Sequence, residues 1–271
     1  MINKPRLTTG NLQLKTGLII LAVIIVLMLV FFLFRDLSID IDMDTRWQPP
    51  SAQFPLGTDD LGRDLLSGIV YGAGISMFIG LAVVLLSSII GIVLGLVSGF
   101  AGGIVDAVIM RIVDIVFAFP GILLAIALSV FLNTGIISIV LILTFSSWAG
   151  CARLVRGEVL RHKHKEFILA AGSYNASFLR IMFRHLLPLI SPIVLVQASL
   201  STAGVILAES SLNFLGLGLD PRVPTLGQLI DTGVGHIFDQ PRFIILPGVV
   251  LFLVIIAFNF IGEGLRKKYT I

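Results

Sequence analysis

Residues 65–105 read LLSGIVYGAGISMFIGLAVVLLSSIIGIVLGLVSGFAGGIV, without a single Asp, Glu, Lys or Arg. A helix crossing the roughly 30 Å hydrocarbon layer needs about 20 apolar residues, so this stretch can span a bilayer. Four further runs lack those charges: Thr16–Phe34, Ile115–Ala152, Leu186–Ala208 and Phe243–Gly262. Over all 271 residues, 56% are hydrophobic and 13% charged, and the mean hydropathy is +1.04. Soluble domains carry about 25% charged residues. A soluble chain this apolar would expose a surface that water does not tolerate. The bilayer is therefore the solvent, and the fold class is an all-α membrane protein.

The runs divide into about six transmembrane helices. Leu65–Val105 reads as a flanking segment near Leu65–Gly74, a helix from about Ile75 to Ser98 and a turn at Gly99–Gly103. Ile115–Ala152 divides at the turn signal Asn133-Thr134-Gly135. The first run ends in bulky Phe31-Phe32-Leu33-Phe34 rather than the small residues of a cleavage site, and reads as an uncleaved anchor. The organisation expected is a tail at 1–16, a first span at 17–34, an outer segment at 35–70, a transmembrane domain at 71–265 and a tail at 266–271.

Charge orients the bundle, because Lys and Arg collect on the cytoplasmic side. Lys4, Arg6 and Lys15 precede the first span. Arg153, Arg156, Arg161, Lys163, Lys165, Arg180 and Arg184 face only Glu158 and Glu166 in the fourth inter-span segment. Arg266, Lys267 and Lys268 close the chain. The segments Arg35–Asp64 and Glu209–Arg242 are acidic on balance. With six spans these alternate, which puts both termini and the 153–184 segment in the cytoplasm of an inner-membrane, multi-pass protein.

Within the spans, Gly91, Gly95 and Gly99 recur every fourth residue, a spacing that lets helix backbones approach closely. They pack against another helix or a partner, so Gly95→Leu should disrupt and Gly95→Ala should be mild. Arg111 and Asp114 share a helix face and read as a structural pair, an interfacial anchor or a substrate contact. Pro120 should kink or break its helix, and broken helices often line transporter cavities. Asp114 is the plausible buried acid. His162 and His164 read as a solvated basic face rather than a metal site, since nothing nearby completes a ligand set. The pI of about 9.2 reflects membrane-flanking Lys and Arg rather than nucleic-acid binding.

The cytoplasmic segment 160–185 reads as helix, turn, helix with apolar faces outside the membrane. Ala170, Ala171, Ala176, Arg180, His185 and Pro188 match the cytoplasmic EAA loop of ABC importer permeases, which this segment resembles. Leu169 and Asn175 stand where that pattern has Glu and Gly. Pro55-Leu-Gly-Thr-Asp-Asp-Leu-Gly-Arg-Asp64 is similar to a signature of the dipeptide/oligopeptide/nickel branch of those permeases. Met110-Arg111, Asp114 with Ala118-Phe119-Pro120, Phe214-Leu-Gly-Leu-Gly218 and Pro247-Gly248 with Ala257-Phe258-Asn259 look like further blocks of that branch.

The resemblance implies a polytopic bundle with a coupling helix that docks on an ATPase through Glu166, Ala170, Ala171, Tyr174, Asn175, Ala176 and Arg180. It implies a heterodimer with a second permease subunit, one or two cytoplasmic ATPase subunits and an extracytoplasmic substrate-binding protein. Short peptides are the substrate it favours, with nickel or a metal chelate as the alternative. Ala171→Asp should then uncouple transport, and Tyr174→Ala should do so more weakly. The chain is not expected to be an enzyme or to hold a cofactor: none of its six lysines follows a Gly, as a P-loop requires. A secondary transporter or channel is the reading of another class. It would usually carry intramembrane carboxylates or an internal repeat.

Overall fold

The computed structural model describes residues 5–34, 41–173 and 177–269, and helices account for nearly all of its regular structure. In chain order they are α1 (Pro5–Phe34), α2 (Leu65–Ala101), α3 (Gly103–Phe117), α4 (Gly121–Ser129), α5 (Ile136–His162), α6 (Glu166–Ser173), α7 (Phe178–Ile181), α8 (Leu187–Phe214), α9 (Leu226–Val234) and α10 (Arg242–Tyr269). A π-turn at Met182–Leu186 joins α7 to α8, making Phe178–Phe214 one rod of 37 residues. Five helices are long and apolar enough to span: α1, α2, α5, the α7–α8 rod and α10. The pair α3 and α4, bent by 83°, makes a sixth crossing if counted as one broken span.

α2 departs from expectation. It starts at Leu65 rather than near Ile75, because the Asp64 carboxylate caps it, accepting from the Ser67 amide at 3.1 Å and hydroxyl at 2.6 Å. Its glycines mark contact rather than flexibility: a Cβ on Gly72 would sit 2.9 Å from the Leu226 amide. At 1.5 Å per residue its 37 residues run about 55 Å, longer than the hydrocarbon is thick, and its first turns pack under α9. The turn after α2 is narrower than expected, at Gly102 and Gly103. Both have positive φ, +67° and +54°, a conformation that costs glycine nothing.

The glycine face of α2 packs inside the chain, on α5. A Cβ added to Gly91 would lie 2.5 Å from Cys151 Cβ, one on Gly95 2.6 Å from the Ala152 carbonyl oxygen, and one on Gly99 2.8 Å from Val159 Cβ. This corrects the expectation that Gly95→Ala is mild: the neighbour is backbone and cannot rotate away. Leu96, Val155 and Val159 continue the contact as a buried cluster with Ile181, Met182 and Leu186. α1 lies along α10, where Gly17 meets the Ala257 carbonyl. Its other faces are mostly exposed and apolar, as for a helix bordered by lipid.

Candidate coupling segment and pathway face

Three contacts pin the neighbouring ends of α2, α3 and α5. Arg156 forks onto Asp106 at 2.5 and 2.6 Å, joining α5 to α3 in a bidentate, charge-assisted pair. Asp106 also accepts from the Ser98 hydroxyl of α2 at 2.5 Å. Lys163 Nζ donates to the Gly99 carbonyl at 3.1 Å. On this frame α6 is held by one side. Ile168, 2% exposed, enters the α2–α5 cluster, and the rings of Phe100 and Phe178 meet edge-on at 5.0 Å. Its other side faces out: Phe167 is 47% exposed, and Ala170 and Glu166 are exposed. Leu179, Arg180 and Phe183 on the following turns are exposed as well.

Of the expected coupling residues, Glu166, Ala170 and Arg180 thus lie on accessible helix surface. Ala171 is within α6, but its side chain lies outside the described residues, as do Tyr174, Asn175 and Ala176 entirely. The His162–His164 expectation is half corrected. His162 is only 8% exposed and its Nε2 sits 3.2 Å from Glu158 Oε2. It faces inward because i and i+4 share the buried side of α5. His164 is exposed. No cluster of metal-ligating groups occurs among the described residues.

A second face is built around the α3–α4 break. The helix stops at Ala118 and restarts after Pro120, whose missing N–H and ring favour a break there. Arg111 and Asp114 do not pair. Asp114 instead reaches across to Arg153 of α5 at 2.5 Å, and the Arg153 guanidinium lies 4.4 Å from the centre of the Phe117 ring. Nor is Asp114 buried: its side chain is 59% exposed and that of Arg153 50%. An i,i+3 pair was the simplest reading of the sequence, but the contact between α3 and α5 offers the acid a second cation.

With these features in place, comparison with known proteins is decisive. Residues 91–269 match the family described as binding-protein-dependent transport system inner membrane component. The chain belongs to this family. It is 40% identical over 225 residues to the glutathione transport system permease protein GsiD of Shigella dysenteriae, covering 83% of this chain and 74% of that one. It is 35% identical over 219 residues to the dipeptide transport system permease protein DppC of Bacillus subtilis, covering 80% and 68% respectively. The permease of Pectobacterium atrosepticum named for glutathione transport is 37% identical over 225 residues, covering 83% and 75%.

In this inner-membrane transport component the acid that sequence reasoning missed is Glu209. It was assigned to the outer segment because a charge ended the preceding run. The structure carries α8 through it and buries it completely. Asn213 Nδ2 donates to its Oε1 at 2.6 Å, and the Ser210 hydroxyl donates to its Oε2 at 3.3 Å. Asn213 Oδ1 in turn accepts from the Leu219 amide at 2.8 Å, folding the chain back after α8. The usable signal was helical spacing: Val205, Ile206 and Leu212 continue the buried face past the charge. Beyond the end of α8, Arg63 is held by Asp59 at 2.7 Å and donates to the Pro221 carbonyl at 3.2 Å. That clasp ties the segment before α2 to the loop before α9.

Proposed function

We propose that this permease forms half of the translocation pathway of an ATP-driven importer of short peptides, with α6 as the link to a separate ATPase. The observation that carries the coupling role is exposed apolar surface on α6 and the first turns of the α7–α8 rod: Phe167, Leu179 and Phe183 are exposed, while Ile168 anchors α6 in the core. Burying each such side chain against a partner returns about 2 kcal/mol. Peptide as the substrate class rests on the relatives named for glutathione and dipeptide transport. A second permease subunit, one or two ATPase subunits and an extracytoplasmic binding protein complete the assembly, since the chain has no P-loop of its own. Co-purification in mild detergent should therefore recover the chain with a second permease and an ATPase. A stable complex of this chain alone that transports would contradict it.

Both termini and α6 lie in the cytoplasm in this reading, as the Lys and Arg bias requires. Asp59 is unsuited to reporting this because it is 1% exposed and holds Arg63. Ala52 and Lys165 are exposed. In a Cys151→Ser background, Ala52→Cys should react with a membrane-impermeant thiol reagent in intact cells, and Lys165→Cys only after the cytoplasmic face is opened. The reverse pattern would invert the assigned orientation.

A further inference from the structure

We infer that the adjoining polar flanks of α3 and α5 form a water-lined site in the cytoplasmic half of the pathway, in which Arg111 binds a carboxylate of the peptide substrate. This rests on the peptide-import reading proposed above. The first observation is that α3 carries two adjoining stripes of unlike character. Ile104, Val108, Ile112 and Ile115 form an exposed apolar side suited to lipid. Ala107, Arg111, Asp114 and Ala118, spaced four, three and four, form an exposed side that is small or charged. α5 answers with the same spacing in Ser146, Gly150, Arg153 and Gly157, all at least partly exposed. The Arg153–Asp114 pair and the Phe117 ring, 4.0 Å from the Cβ position of Gly150, bring the two stripes together.

Half-exposed charges on a spanning helix are costly against hydrocarbon and belong beside water or another protein. The charges on this face do not cancel. Asp106 is matched by Arg156 and Asp114 by Arg153, whereas Arg111 has no acidic partner among the described residues. One uncompensated guanidinium remains, about 12 Å along α3 from its cytoplasmic start. Its planar fork suits a carboxylate, which every peptide with a free C-terminus carries. There is room for it: a Cβ on Gly157 would meet nothing within 4 Å, and Ala107 and Ala118 project only methyl groups. The rival occupant, an acid on the second permease, would make Arg111 an assembly contact instead.

The test uses the complete transporter in proteoliposomes, with labelled alanyl-alanine as probe and saturating binding protein. Arg111→Gln should lower uptake about tenfold or more, the loss of one charge-assisted contact, while ATP hydrolysis and subunit recovery stay at the wild-type level. Arg111→Lys should restore a substantial part of the uptake. In the Cys151→Ser background, Arg111→Cys should react with a hydrophilic thiosulfonate from the cytoplasmic side, and alanyl-alanine should slow the reaction. Unchanged uptake by Arg111→Gln overturns the inference, as does parallel loss of assembly and hydrolysis, or a cysteine that the reagent never reaches. Wild-type complex that imports neither alanyl-alanine nor other short peptides defeats the peptide reading itself. Normal wild-type uptake with an indifferent Arg111→Gln defeats only the inference drawn here.

Discussion

Gly95→Leu is expected to remove most of the folded protein from the membrane. The position where a Cβ would stand is 2.6 Å from the Ala152 carbonyl oxygen and 2.7 Å from Val155 Cβ, so a leucine side chain has no space between α2 and α5. To admit it the helices must separate, and separation also undoes the neighbouring contacts of Gly91 on Cys151 and Gly99 on Val159. Overpacking of this kind costs about 3 kcal/mol, and more where the obstruction is backbone. A loss of that size lowers abundance several-fold through quality control. Gly95→Ala should show a smaller but clear loss, because its one added carbon already clashes. Gly157→Ala on α5 serves as the control, with open space around it, and should be neutral or slightly stabilising. The measurement is yield and melting temperature of the purified complex. Wild-type values for Gly95→Leu would mean that α2 and α5 are not in backbone contact.

How far the chain could be read before its structure was known varied with the physics involved. Span number followed from hydropathy together with the turn signal at Asn133-Thr134-Gly135, because a bilayer imposes a length that no soluble core does. The α3–α4 break was legible in Pro120, since proline acts on the backbone locally. The glycine stripe on α2 was legible as a contact, but its partner was not, because spacing describes one helix and says nothing of its neighbour. The same limit explains Asp114: its sequence neighbour Arg111 was visible, and its spatial neighbour Arg153, on α5, was not. Errors arose where charge or glycine was treated as punctuation. Glu209 was cut out of α8 although its hydrogen bonds with Ser210 and Asn213 keep it inside, and the turn expected at Gly99–Gly103 cut into the last residues of α2, which runs on to Ala101.

Ala170→Asp is expected to abolish transport while leaving the subunit in the membrane. Ala170 is exposed on α6, three residues after exposed Phe167, and residues at that spacing share a face. Alone, the chain should tolerate the change, since exposed substitutions away from special features shift stability by about 0.5 kcal/mol or less. In the proposed assembly that face lies against the ATPase, where a carboxylate desolvated without a cation would cost several kcal/mol. ATPase recovered with the permease should fall by about tenfold or more, and uptake with it. Phe167→Ala should weaken recruitment less, by removing an aromatic anchor without burying a charge. Because Ile168 holds the opposite side of α6 in the core, neither variant should change the melting temperature appreciably.

The most direct measurement is uptake of labelled alanyl-alanine into proteoliposomes that hold this chain with its partner subunits, comparing wild type with Ala170→Asp. The account predicts wild-type uptake that requires ATP on the ATPase side and binding protein on the other, and that is lost in Ala170→Asp at equal permease content. Uptake by this chain alone, driven by an ion gradient without ATP and unaffected by Ala170→Asp, would contradict it.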